Sequence, residues 1–233
     1  KEAGTRYSFL AIDLPFHGQT KWEDGTDFTA ADLQQIVLHI LEETGLFIQD
    51  PGIKLAVIGF SLGGRMALEL YQRWPDKVYP LVLLAPDGLK VNFWYRLATM
   101  TAPGRALFAF TMKQPGWFFG LLKLMNRAGL VNASIFKFVN HYIGDGEARL
   151  RLYQRWTGLR KIKPRLPLIR RLVRQNRTPV RLLYGRYDRI IVPARGEKFG
   201  RNIQEYCTLK MIASGHQVLQ ARHAAEIIQA LSH

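Results

Sequence analysis

One cysteine, Cys207, stands alone in 233 residues, so no internal disulfide is possible and no thiol cluster is offered to a metal. No apolar run approaches the ~20 residues that a membrane-spanning helix requires. No internal repeat or low-complexity tract is present, which excludes solenoid and linker-dominated architectures. No secretory leader pattern is visible, and the expectation is a cytoplasmic protein. Acidic residues are scarce, with 18 Asp and Glu against 33 Lys and Arg, for a net charge of +15. What the chain does have is apolar mass, 48% of its residues, enough for a substantial core in one large or two small domains.

The shortage of acid is local. Between residues 89 and 177 only Asp145 and Glu147 oppose 18 Lys and Arg, while the rest of the chain is close to neutral. The same segment carries Phe93-Trp94-Tyr95, Leu107-Phe108-Ala109-Phe110 and Trp117-Phe118-Phe119. Two readings stay open. One is a solvated basic face over a core-facing apolar one; the other is a set of amphipathic helices in peripheral contact with anionic membrane. No nucleic-acid-binding module is recognisable, and basic charge alone gives non-specific attraction, so no specific nucleic-acid partner is expected.

Periodicity orders the elements. Tyr7 to Ile12 reads as a buried strand, followed by the turn-rich Asp13-Leu14-Pro15-Phe16-His17-Gly18 and a polar loop through Glu23 to Asp27. Thr29 is placed to cap a helix from Ala30 to about Thr44, whose Leu33, Ile36, Val37, Ile40 and Leu41 share one face. Strands are expected at 53–58, 78–84, 179–184 and 206–212, with helices after the first of these, near 194–201 and at 218–231. Strand alternating with helix implies a mostly parallel sheet flanked by helices. From Leu89 to about Arg177 only helical patterns occur, which reads as an all-helical cap inserted between two core segments, 1–88 and 178–233, and lying over the strand ends.

Between the second strand and its helix lies Gly59-Phe60-Ser61-Leu62-Gly63-Gly64. A serine on a strand-to-helix turn this tight is forced into a strained backbone that lifts its hydroxyl clear of the sheet. Gly59 and Gly63 are expected to be glycine because a Cβ would collide with the neighbouring elements. The N–H of Leu62 opens the helix, where it can hold a developing oxyanion. Asp188 and His216 fall at the ends of two later strands. A serine hydroxyl needs a base to take its proton, and an imidazole needs a carboxylate to fix its tautomer. Asp87, after the strand that follows the serine helix, competes with Asp188 for that role.

These motifs, with Gly-Arg-Tyr-Asp-Arg-Ile-Ile-Val-Pro at 185–193, Ser-Gly-His at 214–216 and Asp-Leu-Pro-x-His-Gly at 13–18, resemble the α/β-hydrolase family over essentially the whole chain. The resemblance implies Ser61 as nucleophile, His216 as base and Asp188 as acid, in the chain order of that fold. It implies no metal and no organic cofactor. It also favours Asp188 over Asp87, because Gly-x-x-Asp followed by Val-Pro fits the family. His17 lies 44 residues before Ser61, which suits a structural place in the loop after the family's fourth strand rather than an oxyanion loop. Phe16 stands where relatives usually carry glycine, and Phe16 and Phe60 are candidate pocket residues. The family's first strands have no counterpart, so the expectation is an N-terminally truncated domain whose second oxyanion donor precedes Lys1. The substrate expected is a small-molecule ester with an apolar, fatty-acyl type of chain. Carbon–carbon bond hydrolysis, acyl transfer and ligand binding without catalysis are the alternatives on the same fold.

Overall fold

The computed structural model describes residues 7–22, 27–45, 52–90, 93–129 and 143–232. Part of the expected polar loop, 23–26, and the helical stretch 130–142 lie outside them. Contacts divide the chain into two units: Lys1–Phe9, Thr29–Val91 and Ile162–His233 form one, and Leu10–Phe28 with Asn92–Lys161 the other.

The first unit is a four-stranded parallel sheet in the order β1-β2-β3-β4, with β1 at Leu55–Phe60, β2 at Val78–Leu84, β3 at Val180–Gly185 and β4 at Cys207–Ile212. The two inner strands are mostly apolar and mostly buried, as strands covered on both faces are; Leu81 to Leu84 are fully buried, and Arg181 is the one charged residue of β3. The outer strands alternate, with Ile58 on β1 partly exposed. β2 carries one extra residue at Tyr79-Pro80, where its register against β1 shifts; the irregularity accommodates a proline that has no N–H for the ladder.

Helix α1, Ala30–Glu43, begins as its sequence specifies: the Thr29 hydroxyl accepts from the Asp32 N–H, and the Asp32 carboxylate accepts from the Thr29 N–H at 2.7 Å. It packs on α2, Leu62–Arg73, which lies on β1 and β2. The expected buried strand at 7–12 is not formed. Residues 7–12 pair with no strand, and Phe9 and Leu10 are exposed. An extended segment becomes a strand only when a neighbour takes its backbone hydrogen bonds, and none of the described residues does so here.

In the second unit, α3 (Phe93–Met100) packs against α4 (Ala102–Lys113) and α6 (Gly146–Gly158); α5 spans Gly116–Arg127. Aromatic contacts hold it: the Trp156 ring meets Tyr95 edge-on at 5.2 Å and stacks on Phe108 at 5.5 Å. The 10–28 segment is tied to α6, since Phe28 N–H donates to the Gly158 carbonyl, Arg155 Nε to the Phe16 carbonyl, and Asp27 pairs with Arg160 and Lys161.

The segment expected as one insertion, 89–177, is split by these contacts near residue 161. Helix α7, Leu166–Asn176, belongs with the sheet, because its apolar stripe buries Ile169 and Val173 completely in the core beside α2. Arg177, in the left-handed region at φ 49°, ends it three residues before β3 begins at Val180. The remaining elements of the first unit are α8, Ala194–Gly200, packed on β4, and a 3-10 turn at Ala221–His223 that leads into α9, Ala224–Leu231.

Candidate active site

Three parallel strands end on the same edge of the sheet, and their loops bring together residues 127 and 28 positions apart in the chain. Ser61 follows β1. Its backbone sits at φ 48°, ψ −115°, a region costing on the order of 1–3 kcal/mol for a residue with a Cβ. The surroundings over-determine it: Ser61 N–H donates to the Leu84 carbonyl at 3.0 Å, and the Ser61 carbonyl accepts from Gly64 N–H at 2.9 Å and Asp87 N–H at 2.8 Å.

The turn needs glycine at Gly59 and Gly64. A Cβ on Gly59 would lie 2.5 Å from the Gly63 carbonyl oxygen, and one on Gly64 would lie 2.5 and 2.7 Å from Cβ and Cα of Pro86. A Cβ on Gly63 would meet nothing within 4 Å, which corrects the expectation for that position. The close approach belongs to the next residue, where the helix meets the loop after β2. The third glycine of the run was the available signal for it.

The Ser61 hydroxyl donates to Nε2 of His216 at 3.0 Å, and His216 Nδ1 donates to Oδ2 of Asp188 at 2.8 Å. The other oxygen of Asp188 accepts from the N–H groups of Ile190 (2.8 Å) and Ile191 (2.9 Å). The Asp188 side chain is completely buried, and these three donors replace the water it gives up. With Nδ1 occupied as a donor, the Nε2 lone pair faces the serine. The Phe60 ring packs against the imidazole, with centroids 5.4 Å apart.

The loops carrying Asp188 and His216 are locked together. Arg186 N–H donates to the Ile212 carbonyl and Tyr187 N–H to the Ser214 carbonyl, and Val218 N–H donates to the His216 carbonyl. Gly185 makes this possible, since a Cβ there would be 1.9 Å from the Gly215 carbonyl oxygen. Its steric duty was not evident from sequence, because the residue it must clear lies 30 positions later.

Asp87 is engaged elsewhere. One of its oxygens pairs with Arg65 and the other accepts from Gly88 N–H at 2.7 Å. Leu62 is the first residue of α2, so its N–H has no acceptor within the helix and points from the positive helix end. Phe16 lies in the second unit, at φ 65°, so the loop keeps a left-handed backbone without glycine. Its ring packs on Gly158, where a Cβ would come within 2.2 Å of it. His17 Nδ1 donates to the Pro15 carbonyl at 3.0 Å, and burial holds its pKa below the ordinary histidine value.

Residues 1–230 match the model of the alpha/beta hydrolase family. Among curated proteins, Esterase Rv0045c of Mycobacterium tuberculosis is 33% identical over 102 residues, covering 43% of this chain and 30% of that protein. The biotin biosynthesis bifunctional protein BioHC of Teredinibacter turnerae is 34% identical over 100 residues, covering 43% and 15%. These matches span less than a third of either relative. Among solved structures, a thermophilic esterase from Thermogutta terrifontis superposes with a TM-score of 0.59 at 18% identity, over 92% of this chain and 74% of that one. The enol-lactonase from Burkholderia xenovorans LB400 gives 0.52 at 16%, over 94% and 78%. At such identities the likeness is one of fold.

Proposed function

Because the chain belongs to the alpha/beta hydrolase family, we propose that it is a serine hydrolase that cleaves a carboxylic ester through an acyl-enzyme, with Ser61, His216 and Asp188 as its catalytic triad. The observation that carries this reading is the unbroken relay from the Ser61 hydroxyl through both imidazole nitrogens to a buried carboxylate.

The steps follow from the donors and acceptors. Ser61 Oγ attacks the ester carbonyl carbon while its proton passes to His216 Nε2. The carbonyl oxygen gains the negative charge and is met by the Leu62 N–H at the start of α2. Asp188 stabilises the imidazolium and keeps the ring in register without taking a proton. The tetrahedral intermediate collapses, the alkoxide leaves with the proton from Nε2, and the acyl group stays on Ser61. A water then gives its proton to Nε2 and attacks the acyl carbon; the bond from that carbon to Ser61 Oγ breaks, Oγ takes the proton back from Nε2, and the acid is released. The curated esterase match supports the ester assignment, and the apolar Phe60 beside the imidazole suits an apolar acyl group.

The test is turnover of a series of p-nitrophenyl esters of increasing chain length. The wild type is expected to release nitrophenol, and Ser61→Ala to lose turnover by about 10³-fold or more at unchanged fold content. A loss below tenfold would contradict the assignment of Ser61. Acyl transfer through the same residues would instead give acylated Ser61 with slow release to water and faster release to the matching acceptor, and carbon–carbon bond hydrolysis would give little turnover of the esters against release of a carbanion-derived product from a β-diketone-type substrate.

A further inference from the structure

In the second unit two consecutive helices expose an apolar stripe. On α4, Leu107 and Phe110 are 55% and 53% exposed; on α5, Trp117, Leu121 and Leu124 are 39%, 43% and 64% exposed. The spacings of three, four and three residues keep each set on one helical face. The two sets meet at the corner between the helices, where the Phe110 and Trp117 rings stack with centroids 6.3 Å apart. The inner faces of the same helices are occupied, with Thr111, Met112 and Leu122 buried. The stripe is therefore surplus to the core.

The charge beside it has one sign. Lys113 follows Phe110 by three residues, and Lys123 and Arg127, one turn apart, run along the flank of the α5 stripe; all three are exposed. From Gly88 to Gly144 the sequence has no Asp or Glu. A protein partner that matched this face would have to offer both a large apolar surface and a continuous acidic rim. A bilayer offers both by its composition, acyl chains below a layer of anionic headgroups. No helix among the described residues is long and apolar enough to cross a membrane, so the fitting mode is helices lying in the interface plane.

We infer that the face built from Leu107, Phe110, Trp117, Leu121 and Leu124 docks on an anionic lipid surface, with Lys113, Lys123 and Arg127 against the headgroups. The inference is independent of the serine chemistry.

It is tested by flotation of the full chain with vesicles of phosphatidylcholine, alone or with 30% phosphatidylglycerol. Wild type and Ser61→Ala are both expected to float with the anionic vesicles, to stay behind with pure phosphatidylcholine, and to be released by salt. Removing one basic residue near the surface should weaken binding roughly fivefold, so K113E/K123E/R127E should lose at least about a hundredfold. L121S/L124S should lose more than about tenfold while keeping wild-type helix content by circular dichroism. The proposal is overturned if wild type does not float at low salt, or if either variant floats as wild type does. It is equally overturned if sedimentation shows a wild-type dimer that L121S/L124S abolishes, which would make the face a self-association surface.

Discussion

Asp188 and Asp87 differ by what each already holds. Asp188 is fully buried, accepts two backbone N–H bonds and receives the imidazole, whereas Asp87 is committed to Arg65 and Gly88. Asp188→Asn is expected to lower kcat on p-nitrophenyl esters by about 10⁴-fold, because an amide cannot stabilise the imidazolium and favours the wrong tautomer. Asp87→Asn should cost less than tenfold in kcat but lower the melting temperature, because it breaks the ion pair that ties α2 to the loop after β2. Steady-state rates and melts on both variants check this. The glycines give a second contrast. Gly64→Ala drives a methyl into the Pro86 backbone and should destabilise strongly, while Gly63→Ala meets open space and should cost at most about 1 kcal/mol in urea unfolding. The sequence pattern pointed to Gly63 by analogy of position. Only the approach of a loop from 22 residues further on shows that Gly64 is the constrained one.

Helix α2 begins at the proposed nucleophile, Ser61, and carries a buried acid in its body. Glu69 is nearly inaccessible, one of its oxygens has no hydrogen-bond partner among the described residues, and burial raises its pKa above the ordinary carboxylate value. A carboxyl that binds its proton more tightly folded than unfolded has most stability below the ordinary range, and stability falls as pH rises through the raised value. Glu69→Gln should remove that fall, so its melting temperature should gain on wild type as pH rises above the ordinary carboxylate range. A gain that does not grow with pH would contradict it. At this scale much of the fold was legible. The strand-helix alternation, the Thr29 cap and the apolar runs of β2 and β3 depend on local pattern and on burial from both sides. Residues 7–12 have the same apolar pattern, yet whether they form a strand depends on a partner that local pattern does not contain. Helix α7 reads as basic and so resembles its neighbours, but its Ile169 and Val173 stripe joins it to the sheet.

Over the chain as a whole, the lone thiol offers a reporter of opening. Cys207 begins β4, and burial pushes its pKa up to about 11. Alkylation at about pH 8 should be slow in the native protein and should accelerate to the model-thiol rate across the urea transition, in step with tryptophan fluorescence. The same wide separations explain what was readable of the site. Ser61 stood out by the geometry of its Gly-x-Ser-x-Gly turn, whereas Asp188 and His216 were singled out by their strand-end positions and by the resemblance to the family, which alone favoured Asp188 over Asp87. Their hydrogen bonds, the locking of the 185–188 and 214–218 loops through Gly185, and the diversion of Asp87 to Arg65 are products of packing between distant segments. The most direct test of the central claim is peptide mapping by mass spectrometry after exposure to a fluorophosphonate. The account predicts a single adduct on the Ser61 hydroxyl, strongly slowed in His216→Gln. An unlabelled Ser61 in folded wild-type protein, or labelling as fast in His216→Gln as in wild type, would contradict it.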